Sequence, residues 1–510
     1  ASAVAVDSTS NAYVVGNAGL DDTTAGNYFP GTPGSFQPQP TTTTEPFFAK
    51  LGAGGDLVYF TYLRGAGSPT AITVRRDGAA VIAGQTESPA LPVKNPYQSP
   101  AGCTGSRNCG TDGFIIIMKP DPADSDPGSD DPSDLMSATY LGGSGADEFF
   151  SVAVNGSDEI FVTGETDSSN YPVSVNGFNT QGRVGACCGA IASVFSPDAS
   201  ALRYSAYLGA PPEWSAGRAV LADDATGRFF VIGSSSWQHF PTTPDAYQPV
   251  YPNVLTGDPA PPPSITPADF LAYGQQTLPN ALLEARNAAF LVELDPHART
   301  PADSLYYSTY LGGKGGGTEG WGIAGGRCGG VYISGNTRST EFPTEPDEPD
   351  GVFQRNYGGD NEPRFGDGFA AYFAPQPAVE RVQPASGPAG GGTTVRLSGS
   401  GFTGVAGVSF ESPGLLGPAA AVAAASFKVN SCNEISAVTP PHEPGTVDVK
   451  VATVGAKSVT GPRGPGGVSL GLPTADDFTY TPETDGGNPI GDGQDDGVSP
   501  LISSIDPNFG

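Results

Sequence analysis

Two methionines, three tryptophans, three histidines and six cysteines are all that 510 residues hold of these types, and 24 basic residues stand against 53 acidic ones. The formal net charge of −29 repels phosphate backbones, which excludes nucleic acid as a partner. No apolar run approaches the ~20 residues of a bilayer-crossing helix, so no transmembrane segment is expected. A positively charged apolar leader is missing too, and an export signal is expected to have been removed or omitted. His239 falls in Trp237-Gln-His-Phe-Pro241, His297 follows Asp295-Pro296 in a turn, and His442 follows Thr439-Pro-Pro441, none beside a recognisable nucleophile. Nucleophile-elbow, His-Glu-x-x-His and P-loop patterns are all lacking. Only paired carboxylates, whose spacing is spatial, leave room for glycoside chemistry.

Glycine (72) and proline (50) are abundant by contrast, and apolar strands interrupt them throughout, so they mark turns. Five times a strand ends in glycine and is followed by an aromatic or leucine before proline. The glycines are Gly16, Gly84, Gly164, Gly233 and Gly335, and the prolines are Pro30, Pro92, Pro172, Pro241 and Pro343. In the last four copies the offset from glycine to proline is 8. A Tyr-Leu pair closes each of the first four copies. A repeated unit that cannot bury its own apolar face must stack on its neighbours.

The third copy shows the unit. Phe150-Ser-Val-Ala-Val154 alternates, Asn155-Gly156 turns, and Ile160-Phe-Val-Thr-Gly164 returns as a hairpin. Ala190 to Phe195 and Leu202 to Gly209 then supply two more strands. Glycine spacings of 68, 80, 69 and 102 confine insertions to loops. Four short antiparallel strands per unit, arranged radially, give an all-β fold of β-propeller type. Serial Ig-like sandwiches need longer units, and an open β-solenoid has shorter rungs.

Asn11-Ala-Tyr-Val-Val-Gly16 with Phe29-Pro30, and Leu305-Tyr-Tyr-Ser-Thr-Tyr-Leu-Gly-Gly313, resemble the SBBP repeats of bacterial surface and secreted proteins. That resemblance implies a propeller over 1–375, with blades at about 1–69, 70–148, 149–215, 216–319 and 320–375. The fifth copy has Gly330 to Gly335 and Gly368 to Phe373 but no Tyr-Leu-Gly-Gly strand after them. More blades upstream, or an unusual closure of five, would complete a ring.

Beyond 375 the punctuation changes. Val379-Glu-Arg-Val-Gln-Pro384, Gly390 to Gly392, Gly399-Ser-Gly-Phe402 and Val438-Thr-Pro-Pro441 fall in the order of an IPT/TIG domain, which this stretch resembles. The resemblance implies an Ig-like β-sandwich over 376–482. Val395 and Leu397 are expected on one strand face. An acidic Gly-rich linker at 483–499 precedes 500–510, which superposes on 377–387 at a constant offset of 123 and is expected to start a second Ig-like domain.

Candidate ligand sites are fewer. Asp485, Asp492, Asp495 and Asp496 in the linker could offer oxygens to calcium as a cofactor, although no EF-hand pattern is present. Asp121, Asp124, Asp126, Asp130, Asp131 and Asp134 form a second acidic tract, expected as a solvated loop. Cys103 and Cys109 flank a short loop that a disulfide can staple, and Cys187-Cys188 are adjacent in the equivalent loop of the next unit. The spacing argues against zinc. Cys328 and Cys432, on or beside strands, fit buried thiols. The long insertion between Pro249 and Ala289 has a helix start at Thr266-Pro267, and its Phe270, Tyr273, Leu282 and Arg286 are candidate binding residues.

These features together lead to an expected non-catalytic, extracellular or cell-surface structural and adhesive protein, with a propeller presenting a binding surface on Ig-like spacers. Other surface proteins, glycans or copies of itself are the expected partners. A subunit of a surface filament or sheath, and a polysaccharide-active enzyme using the propeller face, are the alternatives.

Overall fold

The computed structural model describes residues 1–19, 29, 31–99, 110–120, 132–180, 188–209, 214–236, 240–244, 246–252, 287–314, 316–344, 358, 366–374, 377–412, 421–453, 456–457 and 476–482. The first sheet holds β1 (Ala3–Val6), β2 (Ala12–Gly19), β3 (Thr44–Leu51) and β4 (Leu57–Tyr62). The second holds β5 (Ser68–Val74), β6 (Ala80–Thr86), β7 (Asp112–Met118) and β8 (Leu135–Leu141). The third holds β9 (Asp147–Val154), β10 (Ile160–Thr166), β11 (Gly189–Phe195) and β12 (Leu202–Tyr207). The fourth holds β13 (Ser215–Ala222), β14 (Phe229–Ser235), β15 (Ala288–Leu294) and β16 (Leu305–Leu311). Each is a four-stranded antiparallel meander in chain order. The fifth has three strands, β17 (Thr318–Gly325), β18 (Val331–Thr337) and β19 (Asp367–Phe373), as the missing Tyr-Leu-Gly-Gly segment implies.

The recurring marks have a common cause. In four sheets the register of the first strand slips opposite the repeat glycine: Pro69 faces Gly84, Phe149 faces Gly164, Gly217 faces Gly233 and Gly320 faces Gly335, each followed by one extra residue. A Cβ on these glycines would stand 2.3, 1.8, 2.0 and 1.9 Å from the carbonyl oxygens of Ser68, Glu148, Ala216 and Glu319. Only glycine admits so close a bulge. The Tyr of each Tyr-Leu pair then pins the loop that carries the proline. Tyr62, Tyr140, Tyr207 and Tyr310 donate their hydroxyls to the carbonyls of Phe29, Ser88, Ser168 and Phe240 at 2.6, 2.8, 2.8 and 3.2 Å. Mark and pair recur together because one satisfies the other.

Consecutive sheets pack face to face. One apolar cluster joins the first and second sheets (Tyr13, Phe48, Phe114, Tyr140), and another the second and third (Ile115, Ile117, Phe149, Tyr207). The next two join the third to the fourth (Phe161, Tyr204, Phe229, Phe290) and the fourth to the fifth (Ile232, Leu291, Val331, Ile333). Strands β1, β5, β9, β13 and β17, the inner strand of each sheet, contact one another in series. Arg75, only 7% exposed, leaves the end of β5 to donate to the carbonyls of Asp158 and Pro197 in the third sheet. Asp224 accepts from the Gly156 amide at 2.6 Å and pairs with Arg76 at 3.8 Å, tying the hairpin turns of three sheets. Among the described residues of the end sheets, Val4 and Val6 of β1 are 62% and 63% exposed, and Tyr332 of β18 is 54% exposed.

The C-terminal part is a sandwich. One sheet runs β20 (Ala378–Gln383), β22 (Thr394–Ser400), β26 (Glu434–Val438) and β25 (Ser426–Ser431). The other runs β21 (Ser386–Pro388), β29 (Asp477–Thr481), β27 (Gly445–Thr453), β23 (Val405–Glu411) and β24 (Ala421–Ala423), with β28 (Ala456–Lys457) on β27. Val395 and Leu397 are both fully buried against Phe410, Val449 and Phe478, as their alternation predicts. The glycine turn and the Thr-Pro-Pro belong together, because a Cβ on Gly391 (φ 78°) would meet the Pro440 backbone at 2.6 Å. Cys328 and Cys432 are not separate buried thiols. They form a disulfide across 104 residues, joining the turn before β18 to the turn between β25 and β26.

Candidate functional site

Each bulge re-aims one side chain. The extra residues are Thr70, Phe150, Arg218 and Trp321, from β5, β9, β13 and β17. Three of them converge. The guanidinium carbon of Arg218 lies 4.7 Å from the Phe150 ring centroid, 4.9 Å from Trp321 and 5.6 Å from Trp214, which immediately precedes β13. A cation over aromatic faces is attracted by their quadrupoles, which helps hold the three rings around Arg218. Trp321 is half exposed, and its indole N–H donates to Asn336 Oδ1 at 2.7 Å, which fixes the ring plane.

Carboxylates line the same region. Glu165 follows the repeat glycine on β10 and faces Glu148 of β9 in the ladder. Burial raises the Glu165 pKa, the Arg218 charge opposes the rise, Glu148 adds to it, and a hydrogen bond from the Trp214 indole lowers it again. Glu165 Oε2 is buried with no hydrogen-bond partner. The site therefore combines flat apolar rings, one stacked cation and a buried carboxylate, on or beside strands held by ladders. Few convergent polar groups among aromatic surfaces are the usual makeup of a small-ligand site.

A neighbouring polar cluster serves the fold. Asp147, fully buried at the start of β9, accepts from the Thr166 hydroxyl, from Ser168 at 2.8 Å and from the Gly143 amide at 2.7 Å. Burial pushes its pKa up to about 6. In the fourth sheet Arg228 pairs with Glu293 at 2.8 Å and stacks on Tyr306, and burial raises Glu293 to about 7.

Most sites expected from sequence fall elsewhere. Cys103, Cys109, Cys187, Phe270, Tyr273, Leu282, Arg286, Asp485, Asp492, Asp495 and Asp496 lie outside the described residues. Cys188 precedes β11 at φ 33°, where its carbonyl accepts from the Ser215 amide at 3.1 Å. Asp134 departs from the solvated-loop expectation: it directly precedes β8, is 1% exposed and accepts from the Tyr59 hydroxyl at 2.6 Å. His297 stands 4.0 Å from the Glu159 carboxylate. His442 does have a hydroxyl beside it, Ser412 Oγ at 3.1 Å, contrary to expectation. Its other nitrogen meets a main-chain carbonyl, that of Glu443, and the ring stacks on Tyr480. A neutral carbonyl does not stabilise an imidazolium as a triad carboxylate does. Among the described residues no three His, Cys, Asp or Glu side chains are placed to hold a metal, and no helix is long and apolar enough to cross a membrane.

Trp214, Phe150, Arg218 and Trp321 were not singled out from sequence. Their signal is present nonetheless: two of only three tryptophans border inner strands, and Arg218 and Trp321 stand between small residues in Gly217-Arg-Ala219 and Gly320-Trp-Gly322.

The two-sheet sandwich, its glycine turn and its Thr-Pro-Pro invite comparison with known domains. Residues 377–463 match the IPT/TIG domain family. This IPT/TIG domain is the Ig-like sandwich described above. No curated protein matches the chain. Among solved structures, a protein of unknown function from Bacteroides caccae is similar at 8% identity and TM-score 0.24, over 65% of this chain and 69% of that one. The full extracellular region of plexin A4 is similar at 10% identity and TM-score 0.21, over 86% of this chain; the alignment spans 53% of the plexin chain. At such scores neither likeness bears on function.

Proposed function

We propose that this is an exported, non-catalytic adhesive protein in which a propeller-like array of sheets presents the Arg218 cluster to a ligand, held at a fixed angle to the IPT/TIG domain. The observation that carries it is the convergence of the bulge residues Phe150, Arg218 and Trp321 from three successive sheets. A purely structural bulge needs no such choice of side chains, and bulges are over-represented where a side chain must be re-aimed. The Cys328–Cys432 disulfide supports an oxidising compartment. The charge of −29 supports solubility outside the cell and disfavours anionic partners. In this reading the sheets are wedges of a disc.

A second reading is favoured by one feature. Glu148 and Glu165, paired across β9 and β10 beside Trp214, are two carboxylates on one rim, as a glycoside hydrolase would need. Incubating the purified protein with a polysaccharide panel separates the two. Retention without product release is expected; release of reducing ends that is lost in Glu165→Gln would replace adhesion by hydrolysis.

A further inference from the structure

Resting on the binding reading above, the geometry points to an uncharged saccharide as the ligand of the Arg218 cluster. Charge decides the class. A cationic ligand would have to approach rings whose faces already carry the Arg218 guanidinium at 4.7 and 4.9 Å, and like charges at that range repel. An anionic ligand would meet Glu148, Glu165 and Asp167 on the same rim, within a chain of net charge −29. A ligand without charge avoids both penalties.

What is left on the rim matches the two surfaces of a pyranose. Its axial C–H face is apolar and packs on a flat ring, which the half-exposed Trp321 offers with its plane set by Asn336. Its hydroxyls both donate and accept. The guanidinium N–H groups of Arg218 donate to hydroxyl oxygens. Their strands fix Trp321, Asn336 and Arg218 in advance, so little ordering opposes association.

The test uses the whole chain carrying Trp237→Phe, so that tryptophan emission reports Trp214 and Trp321 alone. Probes are neutral β-1,4-glucan and α-mannan oligosaccharides, an oligogalacturonate as the anionic probe and choline as the cationic one. A neutral oligosaccharide is expected to change the emission saturably and to shield it from acrylamide. Trp321→Ala is expected to weaken that binding about tenfold, with the melting temperature unchanged. The acrylamide measurement needs no substitution in the cluster and stands even where a variant folds poorly. Saturable, Trp321-dependent binding of oligogalacturonate or choline, with none of the neutral sugars, would overturn the saccharide class while leaving the binding module intact. A parent protein that binds none of the probes, or a Trp321→Ala protein that binds them as the parent does, overturns the assignment of the cluster itself.

Discussion

Replacing Gly164 by alanine tests how the repeat builds its inner strands. The new Cβ would stand 1.8 Å from Glu148 O and 3.0 Å from Phe149 Cα, both main-chain atoms that cannot swing aside. Relief requires β9 and β10 to part by more than an ångström at the bulge. Overpacking of this kind costs about 1–3 kcal/mol, and each ladder hydrogen bond lost adds about 1 kcal/mol. A total of about 2–4 kcal/mol is expected, with Phe150 displaced from Arg218. Urea unfolding followed by far-ultraviolet circular dichroism measures it, with Gly19→Ala as the control, since nothing lies within 4 Å of a Cβ there. Equal midpoints for the two variants would refute the claim that the glycine recurs because the bulge excludes a side chain.

Tyr140→Phe removes a hydroxyl that donates to Ser88 O and accepts from the Leu91 amide, so about 1–2 kcal/mol should be lost in the same assay; an unchanged midpoint would deny the tyrosine its pinning role. Asp147 has its pKa raised by burial to about 6 from 3.8, so the fold favours the neutral carboxyl. Its contribution is therefore complete below about pH 4 and is lost as the pH rises through about 6, a swing of about 3 kcal/mol that Asp147→Asn should flatten. Melting temperatures from pH 4 to 8 that fall equally in both proteins would contradict this. Reducing Cys328–Cys432 opens a closure of 104 residues, for which loop entropy suggests about 4–5 kcal/mol. The reduced protein should be cleaved by protease between the fifth sheet and the IPT/TIG domain sooner than the oxidised one, and equal cleavage rates would show the disulfide to be dispensable for the junction.

The fold could be anticipated because its determinants are local and repeated. Glycine, proline mark and Tyr-Leu pair each satisfy a backbone demand within one sheet, and each copy therefore carries the same residues. The alternation of Val395 and Leu397 was readable for the same reason. The candidate site obeys no such rule. Phe150, Arg218 and Trp321 occupy equivalent bulge positions with unlike side chains, so a search for similarity passes over them. Cys328 and Cys432 meet only once two modules have docked, and nothing in their spacing indicates it. Asp134 looked like one of a run of loop acids because burial by Tyr59, 75 residues upstream, leaves no trace nearby.

The most direct measurement is an experimental density map of the protein soaked with a neutral oligosaccharide. A sugar ring lying on the exposed face of Trp321, with a hydroxyl at hydrogen-bond distance from the Arg218 guanidinium, is the expected result. Ordered sugar at another surface, or Phe150, Arg218 and Trp321 pointing away from one another, would contradict the claim that the bulges of the inner strands build a binding site.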